Sequence, residues 1–196
     1  GEATPEGWTA PVPVGPAGAG ATAPERCLHA ARALSAALAT LARVAVDGIG
    51  CGAATVALVD GGDLEVMADH ARLGVACRLR RGQRCALDDT PASALAVRER
   101  RRVVIADLAG TTVLSARQTD FHRGLGHTAL LAVPLVVQGR TVGALELVDT
   151  GGPRAFTGAD VAFAEFVARQ ASLLVAEECG TAPPGPALRV TPRASH

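Results

Sequence analysis

The chain has 196 residues, 48% apolar and 19% charged, enough for one domain with a substantial core and too hydrophobic for a disordered chain. Its 19 basic and 19 acidic residues cancel to a net charge of zero, without the positive excess that nucleic acid or an anionic membrane calls for. Lysine is absent, which excludes Schiff-base chemistry and a lysine-bearing phosphate loop, and aromatics at 3% leave little to stack on nucleic-acid bases.

Residues 1–25 are rich in Pro, Gly and Ala without apolar periodicity, which predicts a flexible arm carrying Trp8 exposed. Residues 180–196 have the same character and read as a flexible tail, leaving 26–179 as one globular block. The block opens with a helix from Arg26 to about Asp47, striped by Leu28, Ala31, Leu34, Leu38, Leu41 and Ala45 and stopped at Gly48–Gly50. Strands are expected over Ala54–Asp60 and Asp63–His70, hinged on Gly61–Gly62 with both glycines at positive φ, and a weaker third over Leu73–Leu79.

Thr90 and Pro91 read as the N-cap and first residue of a helix continuing to Arg101, followed by a short strand at Val103–Ala106. A polar stretch with a short helix around Ser115–Arg123 leads to two strong strands, Ala129–Val137 and Thr141–Val148, joined at Gln138-Gly139-Arg140. Glu146 alternates with Leu145 and Leu147, which places it on a solvent-facing side. Thr157 and Asp160 cap a last helix running to Glu178, with a stripe of Phe163, Phe166, Val167, Gln170, Leu173 and Leu174. Helices and a mostly antiparallel sheet make this an α+β domain.

The five cysteines (27, 51, 77, 85 and 179) form no CxxC pair, which excludes a zinc ribbon or thioredoxin motif. With no secretory signal and no charge-free apolar run of about 18 residues, a soluble cytoplasmic protein is expected.

Leu130-Leu131-Ala132-Val133-Pro134-Leu135, then Gly139, Val142-Gly143-Ala144-Leu145-Glu146-Leu147, Pro153-Arg154-Ala155-Phe156-Thr157 and Asp160 resemble the GAF domain family of small-molecule-sensing modules. Asp88–Ser93 and Val103–Asp107 are similar to the middle of GAF domains in bacterial sensor kinases and nucleotide-signalling proteins. The resemblance implies a six-stranded antiparallel sheet. The first and last helices would pack on one face, with a ligand pocket under loops and short helices on the other. It also implies a small-molecule ligand, a homodimer through the terminal helices and a signalling output partner, with no nucleic acid or membrane.

Candidate ligand-binding residues on that reading are Cys77, Arg78, Cys85, Asp107, Asp120, His122 and His127. His122 and His127 lie where haem-binding GAF sensors carry an axial histidine, so haem is a possible cofactor. Cys77 and Cys85 lie where free methionine-(R)-sulfoxide reductases of this family keep cysteines, although no cysteine falls between Phe121 and Thr128, where their attacking thiol would stand. Arg78, Arg80, Arg81 and Arg84 form a basic run near acidic neighbours, read as solvated. The primary reading is a non-catalytic sensor domain, the alternatives a haem sensor and a thiol enzyme.

Overall fold

Alternating hydrophobicity and turn chemistry build the sheet, and the helices cover both of its faces. The computed structural model describes residues 8–9, 23–75, 79–87, 92–178 and 180. Their elements are β1 (Trp8–Thr9), α1 (Ala23–Ala33), α2 (Ser35–Ile49), β2 (Ala53–Asp60), β3 (Asp63–Ala71), β4 (Arg84–Ala86), α3 (Ala92–Glu99), β5 (Val103–Ile105), α4 (Ala116–Gly124), β6 (Ala129–Val137), β7 (Arg140–Asp149) and α5 (Gly158–Glu178). All strand pairs are antiparallel, in the order β1-β4-β3-β2-β7-β6-β5. This is the expected six-stranded sheet with one two-residue strand added at an edge, where Trp8 pairs with Cys85. No helix among the described residues is long and apolar enough to cross a membrane.

The two strong hairpins form as their turn residues dictate. In β6–β7, Gln138 and Gly139 both take positive φ, 50° and 73°, as a type I′ turn requires. In β2–β3 only Gly61 does, at 60°, so one left-handed position suffices where two were expected, the arrangement of a type II′ turn. Of the anticipated strand over Leu73–Leu79, the described residues 73–75 and 79 are not strand, Gly74 turning the chain and Leu73 being fully exposed, and 76–78 lie outside the described residues. The sixth strand is β4, fastened by salt bridges of Arg84 to Asp60 (2.5 Å) and Asp63 (3.0 Å). Arg84 therefore leaves the solvated basic run, and Arg80 lies 3.5 Å from Asp69.

One face of the sheet carries α2 and α5 over Val56, Leu58, Met67, Leu131, Leu135, Leu145 and Leu147. The predicted first helix is two, α1 and α2, hinged at Leu34 (φ −87°, ψ 8°) with backbone bonds continuing from Ala30 to Leu38. Thr157 and Asp160 cap α5 reciprocally, through bonds of 2.8 and 3.1 Å. α5 buries Ala164, Val167, Ala168, Ala171, Ser172 and Val175; of the anticipated stripe, Val167 is buried and Phe163 packs against the core, while small residues fill most of the buried face. Small side chains let the helix lie close to β6, and Phe166 and Leu173 remain 51% exposed.

The opposite face is covered by α3 and α4, and its core is divided. Leu95, Ala96, Val103, Ile105, Leu130 and Ala132 form one cluster. Ala94, Phe121, Leu125, Leu64, Leu79 and Cys85 form the other. Thr55 and Glu146, both buried, occupy paired positions on the central strands β2 and β7.

Candidate functional site

The cross-strand row Thr55–Glu146–Ala132 puts a carboxylate in the middle of the sheet, on the face beneath α3. Glu146 is 1% exposed, which corrects the solvent-facing assignment. Its alternation with Leu145 and Leu147 was read correctly, but both faces of this central strand are covered. The leucines meet α2 and α5, while Glu146 meets the first turn of α3. There Ser93 donates to Glu146 Oε2 from its backbone N–H (3.1 Å) and its hydroxyl (2.5 Å). The free N–H groups of a helix start suit a carboxylate.

Two histidines approach from α4. A capping box between Ser115 and Gln118 fixes the start of that helix. His122 lies in its last turn, within the helix and fully buried. Gly126, at φ 78°, reverses the chain, so His127 returns with its N–H on the His122 carbonyl at 3.0 Å. The rings meet Nδ1 to Nδ1 at 3.1 Å, and His122 Nδ1 is 4.0 Å from Glu146 Oε1.

The backbone N–H of Ala92 donates to His122 Nε2 at 2.9 Å. An accepting Nε2 fixes the neutral tautomer with its proton on Nδ1, which then donates to His127 Nδ1. Burial pushes the His122 pKa down to about 3, keeping the ring neutral. Burial also raises the Glu146 pKa, against the opposing effects of a charge on His127 and the two Ser93 bonds. Glu146 Oε1 is buried without a hydrogen-bond partner.

Of the sequence candidates, His122 and His127 come together in this cluster. Cys85 is 1% exposed on β4, packed with Leu64, Leu79 and Phe121. Asp107 is exposed and accepts the N–H of Ala109 at 2.8 Å, closing a local turn. Asp120 is exposed on α4. Neither aspartate joins the cluster, and Cys77 and Arg78 lie outside the described residues. Sequence reading missed Ser93 and Glu146 as members. The available signal was an acidic residue inside the apolar run Ala144–Val148, in a fold expected to cover both sheet faces.

The cavity beside the cluster, bounded by Thr55, Val75, Leu79, His127 and Glu146, holds about 10 Å³, room for roughly one water. Haem does not fit this arrangement. The His122 Nε2 lone pair is taken by Ala92, and the space cannot admit a macrocycle. A groove of about 600 Å³ lies elsewhere, between α5 and the Arg100–Arg102 turn, over Pro134. Two of its arginines are already paired, Arg101 with Glu99 and Arg102 with Glu165.

The three described thiols are closed off. Burial pushes the Cys51 pKa up to about 12, and Cys27 and Cys85 are buried too, the opposite of a reactive cysteine's setting. Iodoacetamide treatment of the native protein, read by peptide mapping, is expected to spare Cys27, Cys51 and Cys85 and to modify all three after urea unfolding. Rapid native labelling of Cys85 would instead show that β4 opens and exposes a usable thiol.

The fold recurs in solved structures. The blue-light absorbing form of the Thermosynechococcus elongatus PixJ GAF-domain aligns with a TM-score of 0.63 at 19% identity, covering 76% of this chain and 89% of that one. The GAF domain from an Acinetobacter phosphoenolpyruvate-protein phosphotransferase gives 0.60 at 16% identity, over 82% and 96%. A type II free methionine-R-sulfoxide reductase from Thermoplasma acidophilum gives 0.57 at 16%, over 75% and 96%. These identities establish likeness of fold alone. No curated protein matches the chain. A family model described as GAF domain matches residues 31–176, the two-faced sheet together with the helices that bury the cluster, and the chain belongs to the GAF domain family.

Proposed function

We propose that this chain is a non-catalytic, cytoplasmic sensor domain that binds a small ligand beneath α3 and signals through its terminal helices to a second copy and an output partner. The observation that carries the reading is the unpartnered Oε1 of Glu146, an acceptor held in a buried His–His–Glu cluster by the first turn of α3. Residues 145 and 147 of the same strand pack against the opposite helical layer, so a shift of β7 at Glu146 reaches α2 and α5 through rigid contacts. A ligand preferring one arrangement of α3 then biases how that layer presents itself.

The helical layer has a surface for the partner copy: Val44 on α2 and Phe166 and Leu173 on α5 are exposed apolar side chains. Native mass spectrometry of the protein as isolated is the test. A dimer that releases a defined added mass, and that becomes a monomer in a Phe166→Asp/Leu173→Asp variant, is the expected result. A monomer without any added mass would overturn the reading.

A further inference from the structure

We infer that His122, His127 and Glu146 form the binding site of a single divalent first-row transition-metal ion. This rests on the sensor reading and names the class of its ligand. One ligand atom from each of the three lies within 4.8 Å of the others. The two Nδ1 atoms are 3.1 Å apart, and His122 Nδ1 stands 4.0 Å from Glu146 Oε1. Donors bound at about 2.0–2.2 Å to one tetrahedral ion sit roughly 3.3–3.6 Å apart, so the site closes when the Glu146 carboxylate moves in toward the histidines and the two rings part slightly.

Donor chemistry narrows the ion. Two imidazoles and a carboxylate suit zinc, iron(II) or cobalt(II), whereas magnesium and calcium take oxygen ligands throughout. Ser93 holds Oε2 and so aims the free Oε1 at the histidines, the orienting role that outer-layer hydrogen bonds play around metal ligands. A cation satisfies a buried carboxylate oxygen that accepts no hydrogen bond. The cavity of about 10 Å³ takes an ion's water and excludes an organic molecule.

Binding also moves something. His127, in the tautomer that accepts on Nδ1, offers that lone pair once the His122 Nδ1 proton no longer points at it. His122 offers Nδ1 only after its proton passes to Nε2, and a protonated Nε2 no longer accepts the N–H of Ala92. Capture of the ion and release of the α3 first turn from His122 therefore form one equilibrium, with no net proton gained or lost by that ring.

The test is titration of chelator-stripped protein with cobalt(II) chloride, followed by visible absorption. One equivalent with ligand-field bands is expected, together with faster hydrogen exchange at the amide of Ala92. Glu146→Gln and His127→Ala should each weaken cobalt binding more than about 100-fold, beyond the 10- to 100-fold typical of outer-layer changes. Circular dichroism checks that each variant is folded, and His70→Ala, on β3 and outside the cluster, should bind as the parent does. Failure of the parent to bind one equivalent, or undiminished binding in both folded site variants, would overturn the inference. An organic mass on the isolated dimer without a cobalt site would overturn it while leaving the sensor reading standing. A cobalt site in a protein that is monomeric with or without the metal would do the reverse.

Discussion

Glu65→Ala is expected to destabilise the fold by about 3 kcal/mol, the low end of the 3–5 kcal/mol that breaking a buried ion pair costs. Glu65 is 3% exposed on β3. Its carboxylate takes both arms of Arg32 from α1, one at 3.0 Å and the other closer, and Arg84 adds a contact at 3.6 Å. After the substitution Arg84 keeps Asp60 and Asp63, whereas Arg32 retains only Asp60 at 3.9 Å. The Arg32 side chain is 18% exposed, so its charge can lean toward water, which sets the estimate at the low end. Urea unfolding measures the loss. An Arg32→Leu/Glu65→Leu double variant should recover much of it, because removing both charges leaves none uncompensated. A loss below about 1 kcal/mol for Glu65→Ala would show that the pair behaves like a screened surface bridge.

That network marks where sequence reading succeeds and where it stops. The β6–β7 hairpin, the α5 cap and the α4 start were legible because each is decided locally, by alternation over nine or ten residues or by a Thr-x-x-Asp or Ser-x-x-Gln pair. β4 was not legible. A three-residue strand has no period to detect, and Arg84 holds it through carboxylates about twenty residues earlier in the chain. The buried face of α5 was legible in part: Val167 is buried and Phe163 packs on the core, but Phe166 and Leu173 stay exposed because close approach to β6 favoured Ala164, Ala168, Ala171 and Ser172. The site was half legible for a related reason. His122 and His127 stood out as rare residues in a polar stretch, yet Glu146 is defined by what lies across the sheet from it. The covering helix, α3, meets it through Ser93, 53 residues earlier in the chain, a separation no local pattern bridges.

Gly143→Ala is the second large effect, an expected loss of at least about 3 kcal/mol, the upper range for overpacking. A Cβ at Gly143 would stand 2.1 Å from the Ala57 carbonyl oxygen and 2.9 Å from the Leu58 Cα. Both are backbone atoms of the central partner strand and cannot swing aside as a flexible side chain would. The crowding has a structural cause. β2 shifts register against β3 between Val56 and Ala57, and β6 shifts against β7 between Leu135 and Val136, so Gly143, paired with Leu58 and Leu135, sits where irregularities on both sides curl the sheet. Gly62→Ala is the control, because its Cβ would meet nothing within 4 Å and its φ is not left-handed, which keeps its effect within about 0.5 kcal/mol. Urea midpoints decide the matter, and a Gly143→Ala loss under about 1 kcal/mol would mean that β2 and β7 part freely. The consequence extends past stability. Strand β7 carries Gly143 and Glu146 three residues apart, and separating β2 from β7 at Gly143 moves Glu146 relative to Ser93, His122 and His127. A folded fraction of Gly143→Ala should therefore bind cobalt(II) more weakly than the parent although the substituted residue touches no member of the cluster.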